Sequence, residues 1–317
     1  MSEADWLACD DPARMLEVAM GHSAEYCSGH APAPSGRKLR LFVCGIARRI
    51  WRRLTDERSR KAVEAAERYA DRLADRGELV EAAYGAAAAR SFGHPVLCPE
   101  WLAHVCAAPE PASIVEAVRR QSELVRLLAP PLQAAMLRDI VGNPFTGPHL
   151  RRDKADSLRL VSGSSSLIHA AMPWLTPTVR SLARLAYEDR PSRKCGECEG
   201  TGSRPLPDRL SFGHCKSCRG AGEHEGWSLD ALTLSALADA MEEAGAGQDF
   251  DSQRLLWHLR GIEPCRKCLG ARAMSLDAIA HEPEADGCDA CQGKLLVPLA
   301  GPHVRGCWAT DLVLGKE

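Results

Sequence analysis

Four short stretches carry the chemistry of this sequence. Residues 195–202 read CGECEGTG, 215–222 CKSCRGAG, 265–272 CRKCLGAR and 288–295 CDACQGKL. Each sets two cysteines three positions apart, with a glycine two positions beyond the second. Together they use eight of the chain's 14 cysteines. Two thiolates at that spacing ligate one zinc ion in a tight turn, and the glycine that follows takes positive φ cheaply, turning backbone amides toward the sulfurs. One knuckle supplies two ligands, so a closed tetrahedral site needs two knuckles. Four knuckles predict two zinc ions per chain, held by Cys195, Cys198, Cys215, Cys218, Cys265, Cys268, Cys288 and Cys291. A redox role would want a single CxxC at a strand-to-helix junction, not four repeats.

Loop lengths bear on which knuckles pair. The gaps inside the first and second pairs are 16 and 19 residues, and the gap between repeats two and three is 46. The shorter gaps fit the C-x₂-C-x₁₅₋₂₀-C-x₂-C pattern, and local closure costs less chain entropy than nesting. Local pairing, Cys195/Cys198 with Cys215/Cys218 and Cys265/Cys268 with Cys288/Cys291, is favoured over a nested arrangement. Residues 191–226 hold six Arg/Lys and five Asp/Glu, and residues 262–300 hold four and six. Neither is a basic patch with interleaved aromatics, which argues against nucleic-acid binding through these segments. Four thiolates leave no coordination position for water, so the sites read as staples or as partner-binding modules, not catalytic zinc.

The repeated CxxCxGxG resembles the cysteine-rich zinc domain of DnaJ-type chaperones. The first two units match fully, through Gly200, Gly202, Gly220 and Gly222; the third and fourth keep Gly270 and Gly293 but carry Arg272 and Leu295 in place of the last glycine. The resemblance covers only these segments. It implies a zinc module able to hold polypeptide, and in those chaperones the first repeat pairs with the fourth and the second with the third. No J domain accompanies it: the pair His94-Pro95 is followed by Val96, not by Asp. A second resemblance covers most of residues 1–190 and the segments 229–261 and 301–317. EADWLACDDPARML, MLRDIVGNPF, LADAMEEAG and HVRGCWATDLVLGK are similar to an uncharacterised paralogous family of bacterial proteins. It implies that the knuckle pairs are two insertions into a helical scaffold, and insertions are tolerated when their ends lie close together.

The elements that must carry the knuckles read as helices. The 317 residues are rich in Ala, Arg and Leu and poor in aromatics, a mix that favours helix. The apolar stripe Leu39, Phe42, Val43, Ile46, Ile50 and Leu54 predicts a helix from Gly36. A second helix from near Thr55 carries Val63, Ala66, Tyr69, Ala70 and Leu73. Asp11 with Pro12 opens a short helix ending at Gly21, and further helices are expected over 78–90, 99–106, 111–128 and 130–141. The run 142–148 breaks the array, and 161–166 reads as a linker. A Thr-capped helix follows Thr176, and a helical pair spans 229–245 and 250–261. No strand alternation is convincing outside the cysteine segments. The expected fold is mainly α: an N-terminal helical domain (1–150), a linker and helix (151–190), zinc module 1 (191–226), a helical pair (227–261), zinc module 2 (262–300) and a C-terminal segment (301–317).

Other candidates are weaker. The net charge of −2 gives no global case for a nucleic-acid or membrane surface. There is no basic-then-apolar leader and no window near 18 apolar residues, so a soluble cytoplasmic protein with reduced cysteines is expected. Residues 37–61 hold ten Arg/Lys against two acids. Arg48, Arg49, Arg52 and Arg53 around Trp51 form a basic face that can meet phosphates or an acidic partner, or else a solvated face neutralised by Glu64, Glu67 and Asp71. Cys9, Cys27, Cys44, Cys98, Cys106 and Cys307 read as buried thiols, and His22, Cys27 and His30 match no metal spacing. No HExxH, phosphate loop or nucleophile elbow is present. These readings favour a non-enzymatic zinc protein with a protein or peptide partner; nucleic-acid binding through the basic face is the competing class.

Overall fold

Helix starts and stops in this protein follow its capping residues. The computed structural model describes residues 1, 3–20, 33–89, 99–110, 113–114, 116–117, 128–144, 149–152, 158–161, 167–168, 172–195, 198–205, 212–215, 222–224, 226–248, 250–265, 288–289, 291–292 and 296–316. Among these it is mainly helical. The helices are α1 (Glu3–Ala8), α2 (Pro12–Ala19), α3 (Gly36–Arg49), α4 (Glu57–Ala70), α5 (Arg76–Ala89), α6 (Pro99–Cys106), α7 (Pro130–Val141), α8 (Pro177–Glu188), α9 (Ala231–Glu243), α10 (Phe250–Leu259) and α11 (Trp308–Leu314). Asp11 caps α2 by accepting from the amides of Ala13 and Arg14, with Pro12 in the first helical turn. Ser35, Asp56, Thr176 and Asp230 cap α3, α4, α8 and α9 in the same way.

Two apolar cores result. The apolar stripe from Leu39 through Leu54 is buried throughout, though α3 itself stops at Arg49 and a 3₁₀ turn over Trp51–Arg53 carries the chain to Leu54; it packs with Trp6, Met15, Leu16, Val63, Leu79, Leu102, Met136, Leu137 and Ile140. The second core gathers Val179, Ala183, Leu234, Leu237, Met241, Leu255, Leu256, Leu312 and Val313 from α8, α9, α10 and α11, with Trp174 from the turn before α8. The C-terminal segment 301–317 holds one further helix, α11, which ends on Gly315 at φ 65, a left-handed cap that glycine adopts without strain.

Strands also occur outside the cysteine segments, which corrects the expectation that none would. β1 (His149–Arg152), β2 (Leu158–Val161) and β3 (Leu167–Ile168) form an antiparallel sheet with Leu150 opposite Leu160 and Leu160 opposite Ile168. Strands of two to four residues are too short to display an alternating period. Leu73 is a second correction. It is 70% exposed, because α4 stops at Ala70 and Arg72 turns the chain at φ 61. Most of the expected 111–128 helix, residues 162–166 of the expected linker, Gly21, and the His22, Cys27, His30 and Cys98 positions lie outside the described residues.

The two cores meet across buried polar groups. Asp71, at the end of α4, pairs with Arg37 (3.0 Å), Arg305 (2.5 Å) and Lys316 (3.2 Å) and accepts from the Tyr187 hydroxyl (2.8 Å). Arg37 also bridges to Asp311 on α11 at 2.7 Å. Burial pushes the Asp71 carboxyl up, but Arg305, Lys316 and Arg37 outweigh it and hold it at about 2.

Candidate metal centres

The knuckles pair locally. Cys195 and Cys198 lie together with Cys215, and Cys265 lies with Cys288 and Cys291. Cys218 and Cys268, the expected fourth ligands, fall outside the described residues. The Cys195 and Cys215 sulfurs are 3.8 Å apart, as are those of Cys265 and Cys288. A zinc ion 2.3 Å from each sulfur of a regular tetrahedron sets that edge at about 3.8 Å, whereas a disulfide would bring the sulfurs to about 2.05 Å. The donor set and its spacing fit zinc.

Module 1 is built from a reciprocal backbone pairing. β4 (Arg193–Lys194) pairs with β7 (Glu223–His224), and β5 (Ser203–Pro205) with β6 (Phe212–His214). The Cys195 amide donates to the Gly222 carbonyl at 2.8 Å, and the Cys215 amide to the Gly202 carbonyl at 2.8 Å. Each repeat's first cysteine is thus held by the other repeat's last glycine, which explains why the spelling runs on to a second glycine. The Gly202 amide donates to the Cys198 sulfur at 3.3 Å. Positive φ is not confined to glycine, as the sequence had suggested. Glu199 (φ 51) precedes Gly200 (φ 88), and Gln292 (φ 50) occupies the equivalent position after Cys291.

Gly222 has no room for a side chain. At φ +77, an added Cβ would stand 2.2 Å from the Gly200 carbonyl oxygen. Left-handed strain alone costs about 1–2 kcal/mol, a factor of roughly 10, and the overlap adds to it. In Gly222→Ala, competition with a chelator should strip module 1 of its metal at least ~10-fold more readily, while module 2 is unchanged. Equal retention by both proteins would show that this contact does not hold the knuckles together.

Among the described residues of module 1, the buried apolar cluster is Cys195, Cys198 and Cys215. A segment without an apolar core needs a cross-link or a metal to stay folded. Module 2 is similar where described. Cys265 and Cys291 are buried, Cys288 is half-buried, and β8 (Ile262–Pro264) pairs with β9 (Leu296–Pro298).

Both modules leave the helical body through closed necks. A Cβ on Gly226 would lie 1.9 Å from the Arg190 carbonyl oxygen, so the two ends of module 1 touch. The Leu299 amide donates to the Gly261 carbonyl at 2.8 Å across the base of module 2. Module 1 is also anchored to the body. Arg190, just before its neck, shares the buried Glu67 carboxylate with Arg48 at 2.9 and 2.8 Å. Burial pushes the Glu67 carboxyl up, and Arg48 and Arg190 more than reverse it, leaving it below its usual range. The Arg49 guanidinium stacks 5.1 Å from the centre of the Trp227 ring, and Arg52 donates to the Glu223 carbonyl. Three of the four arginines of the basic face therefore have partners within the protein, and Arg49 and Arg53 are exposed.

A third cluster was not foreseen. Asp139, His258, His303 and Cys307 are all buried, with their ligand atoms within 4.8 Å of one another. Asp139 lies on α7, His258 on α10, His303 on the loop before α11, and Cys307 caps α11. Burial pushes His258 down to about 4 against the pull of Asp139, which leaves its ring neutral near pH 7, the form that ligates metal. Burial likewise raises the Cys307 thiol. Asp139 is held below the usual carboxylate range, because His303 and His258 outweigh its burial. The sequence's one hint was the pairing of two ligand types as H-x₃-C in HVRGC. The other two residues come from distant segments and match no spacing rule. Among the described residues no helix is long and apolar enough to cross a membrane. Comparison with protein-family models, with curated proteins and with solved structures gives no match, so the centres are argued from their own geometry.

Proposed function

We propose that this chain is a non-enzymatic zinc protein whose two four-cysteine modules, displayed from a helical body, bind a protein or peptide partner. The carrying observation is the buried cluster of three cysteines in module 1, with two of its sulfurs at a zinc-tetrahedron edge and no other buried apolar cluster among the module's described residues. All-thiolate coordination leaves no position for a substrate or water, which directs the function to the surface of the module and away from chemistry at the ion. The CxxCxGxG spelling, shared with polypeptide-holding chaperone modules, supports a peptide-like ligand. The competing nucleic-acid reading has less to draw on, because Arg48 is committed to Glu67 and Arg52 to Glu223.

The closed neck makes a clean test possible. Residues 192–225 can be replaced by a short Gly-Ser bridge, since residues 190 and 226 already touch. The expected result is that the parent suppresses aggregation of a chemically unfolded client, and the bridged chain keeps its helical circular dichroism but loses that protection. No protection by the parent, or undiminished protection by the bridged chain, would overturn the proposal. Salt-dependent retention of RNA by the parent, lost on Arg49→Glu with Arg53→Glu, would replace it with the competing reading.

A further inference from the structure

We propose that Asp139, His258, His303 and Cys307 form a third metal site, a closed zinc centre that fastens the N-terminal helical core to the C-terminal one. This site is independent of the cysteine modules and shares no residue with them.

The geometry converges on a point. His258 presents one nitrogen, Nε2, to both Asp139 Oδ1 (3.1 Å) and the Cys307 sulfur (3.4 Å). His303 does the same with Nδ1, at 2.7 and 3.7 Å. A zinc tetrahedron with bonds of about 2.05 Å to nitrogen and 2.3 Å to sulfur has a sulfur–nitrogen edge of about 3.6 Å, between the two observed values. The two oxygen–nitrogen separations are hydrogen-bond lengths, which an ion would open by a few tenths of an ångström, roughly to a tetrahedral edge.

Two other readings of the cluster fit less well. A nucleophile relay needs its histidine to face the thiol with one nitrogen and the carboxylate with the other; both rings here use a single nitrogen for both neighbours. A purely hydrogen-bonded cluster must aim both ring N–H groups at Asp139 Oδ1 and the Cys307 thiol proton at the same carboxylate, whose Oδ2 already accepts from the Val304 amide. An ion relieves that crowding of donors by taking the place of the protons.

Charge and support agree with a closed site. A carboxylate, a thiolate and two neutral imidazoles around a doubly charged ion sum to zero, as a centre with all four residues more than 90% buried requires. The ligands are also oriented from outside. Asp139 Oδ2 accepts from the Val304 amide at 2.7 Å, the His303 carbonyl accepts from the Leu229 amide at 2.8 Å, and the Trp308 ring lies against His258 at 4.8 Å. Asp139 belongs to the first helical array, and the other three to the second. Such an ion therefore ties together elements that are more than 100 residues apart in the chain.

The test is metal counting and zinc X-ray absorption on the full chain purified without added metal. The expected result is three zinc ions per chain and a mixed sulfur and imidazole coordination shell, with His258→Gln and Asp139→Asn each losing one ion and the imidazole signature. Two ions in a sulfur-only shell would overturn this inference and leave the cysteine modules standing. One ion with imidazole scattering would uphold it and overturn the modules. No zinc at all would overturn both. Should the variants fail to fold, the spectrum of the parent protein decides alone.

Discussion

Stripping metal from the full chain should open residues 191–226 and 262–300 to protease while most of the helical circular dichroism remains. The reason is an asymmetry of cores. The helical body buries large apolar clusters of its own, led by Trp6, Phe42, Leu54 and Leu102 in one and by Leu234, Leu237 and Leu256 in the other. Among its described residues, module 1 buries an apolar cluster of three cysteines alone. Zinc ligation in small finger-like units is worth on the order of 10 kcal/mol and is coupled to their folding, more than strand pairs of two or three residues can replace. Limited proteolysis with mass mapping, before and after chelation, should place new cuts inside the two modules. Cys215→Ser should open module 1 alone, since module 2 draws its ligands from Cys265, Cys288 and Cys291. Unchanged protease resistance in both segments after chelation would sink the zinc account of these modules. Loss of most of the helix signal would show instead that the modules hold up the body.

What could be read from the sequence was what local spacing determines. The knuckles announce themselves because both ligands of each lie within four residues. The helices at 99–106 and 130–141 appear at those bounds because prolines at their first turns and a breaker after the second mark their ends. The α3 stripe is legible because one face repeats with the helical period. Leu73 was misplaced on α4 because nothing local signals that Arg72 adopts a left-handed turn; the stop becomes understandable only once Asp71 is seen among Arg37, Arg305 and Lys316. The Asp139, His258, His303 and Cys307 cluster was invisible for the same reason. Its members are brought together by the packing of α7, α10 and α11, and each alone reads as an ordinary buried residue. Cys307, read as a buried thiol, is indeed buried, yet its neighbours give it a chemistry that its position in the chain does not.

The junction at Asp71 should govern how the two helical cores separate in acid. The carboxyl sits at about 2 in the folded protein against about 3.9 in an unfolded chain. With the folded value depressed, the unfolded chain takes up the proton first. The group's contribution is therefore complete above about pH 4 and drains as the pH falls through about 2. That difference is worth about 2.6 kcal/mol. Asp71→Asn removes the charge at every pH and leaves Arg305 and Lys316 without their carboxylate, while Arg37 keeps Asp311. Removing one partner of a buried ion pair costs about 3–5 kcal/mol, and the surviving Arg37–Asp311 pair puts the expectation at the lower end, near 3 kcal/mol. Urea unfolding of parent and variant at matched pH should show that deficit at pH 7 and show it narrowing between about pH 4 and 2, where the parent loses what the variant never had. Acid also protonates the thiolates of any bound metal centre, but in both proteins alike, so the difference between them isolates Asp71. A deficit that stays constant down to pH 2 would mean that Asp71 acts there as a hydrogen-bond acceptor and not as a charge.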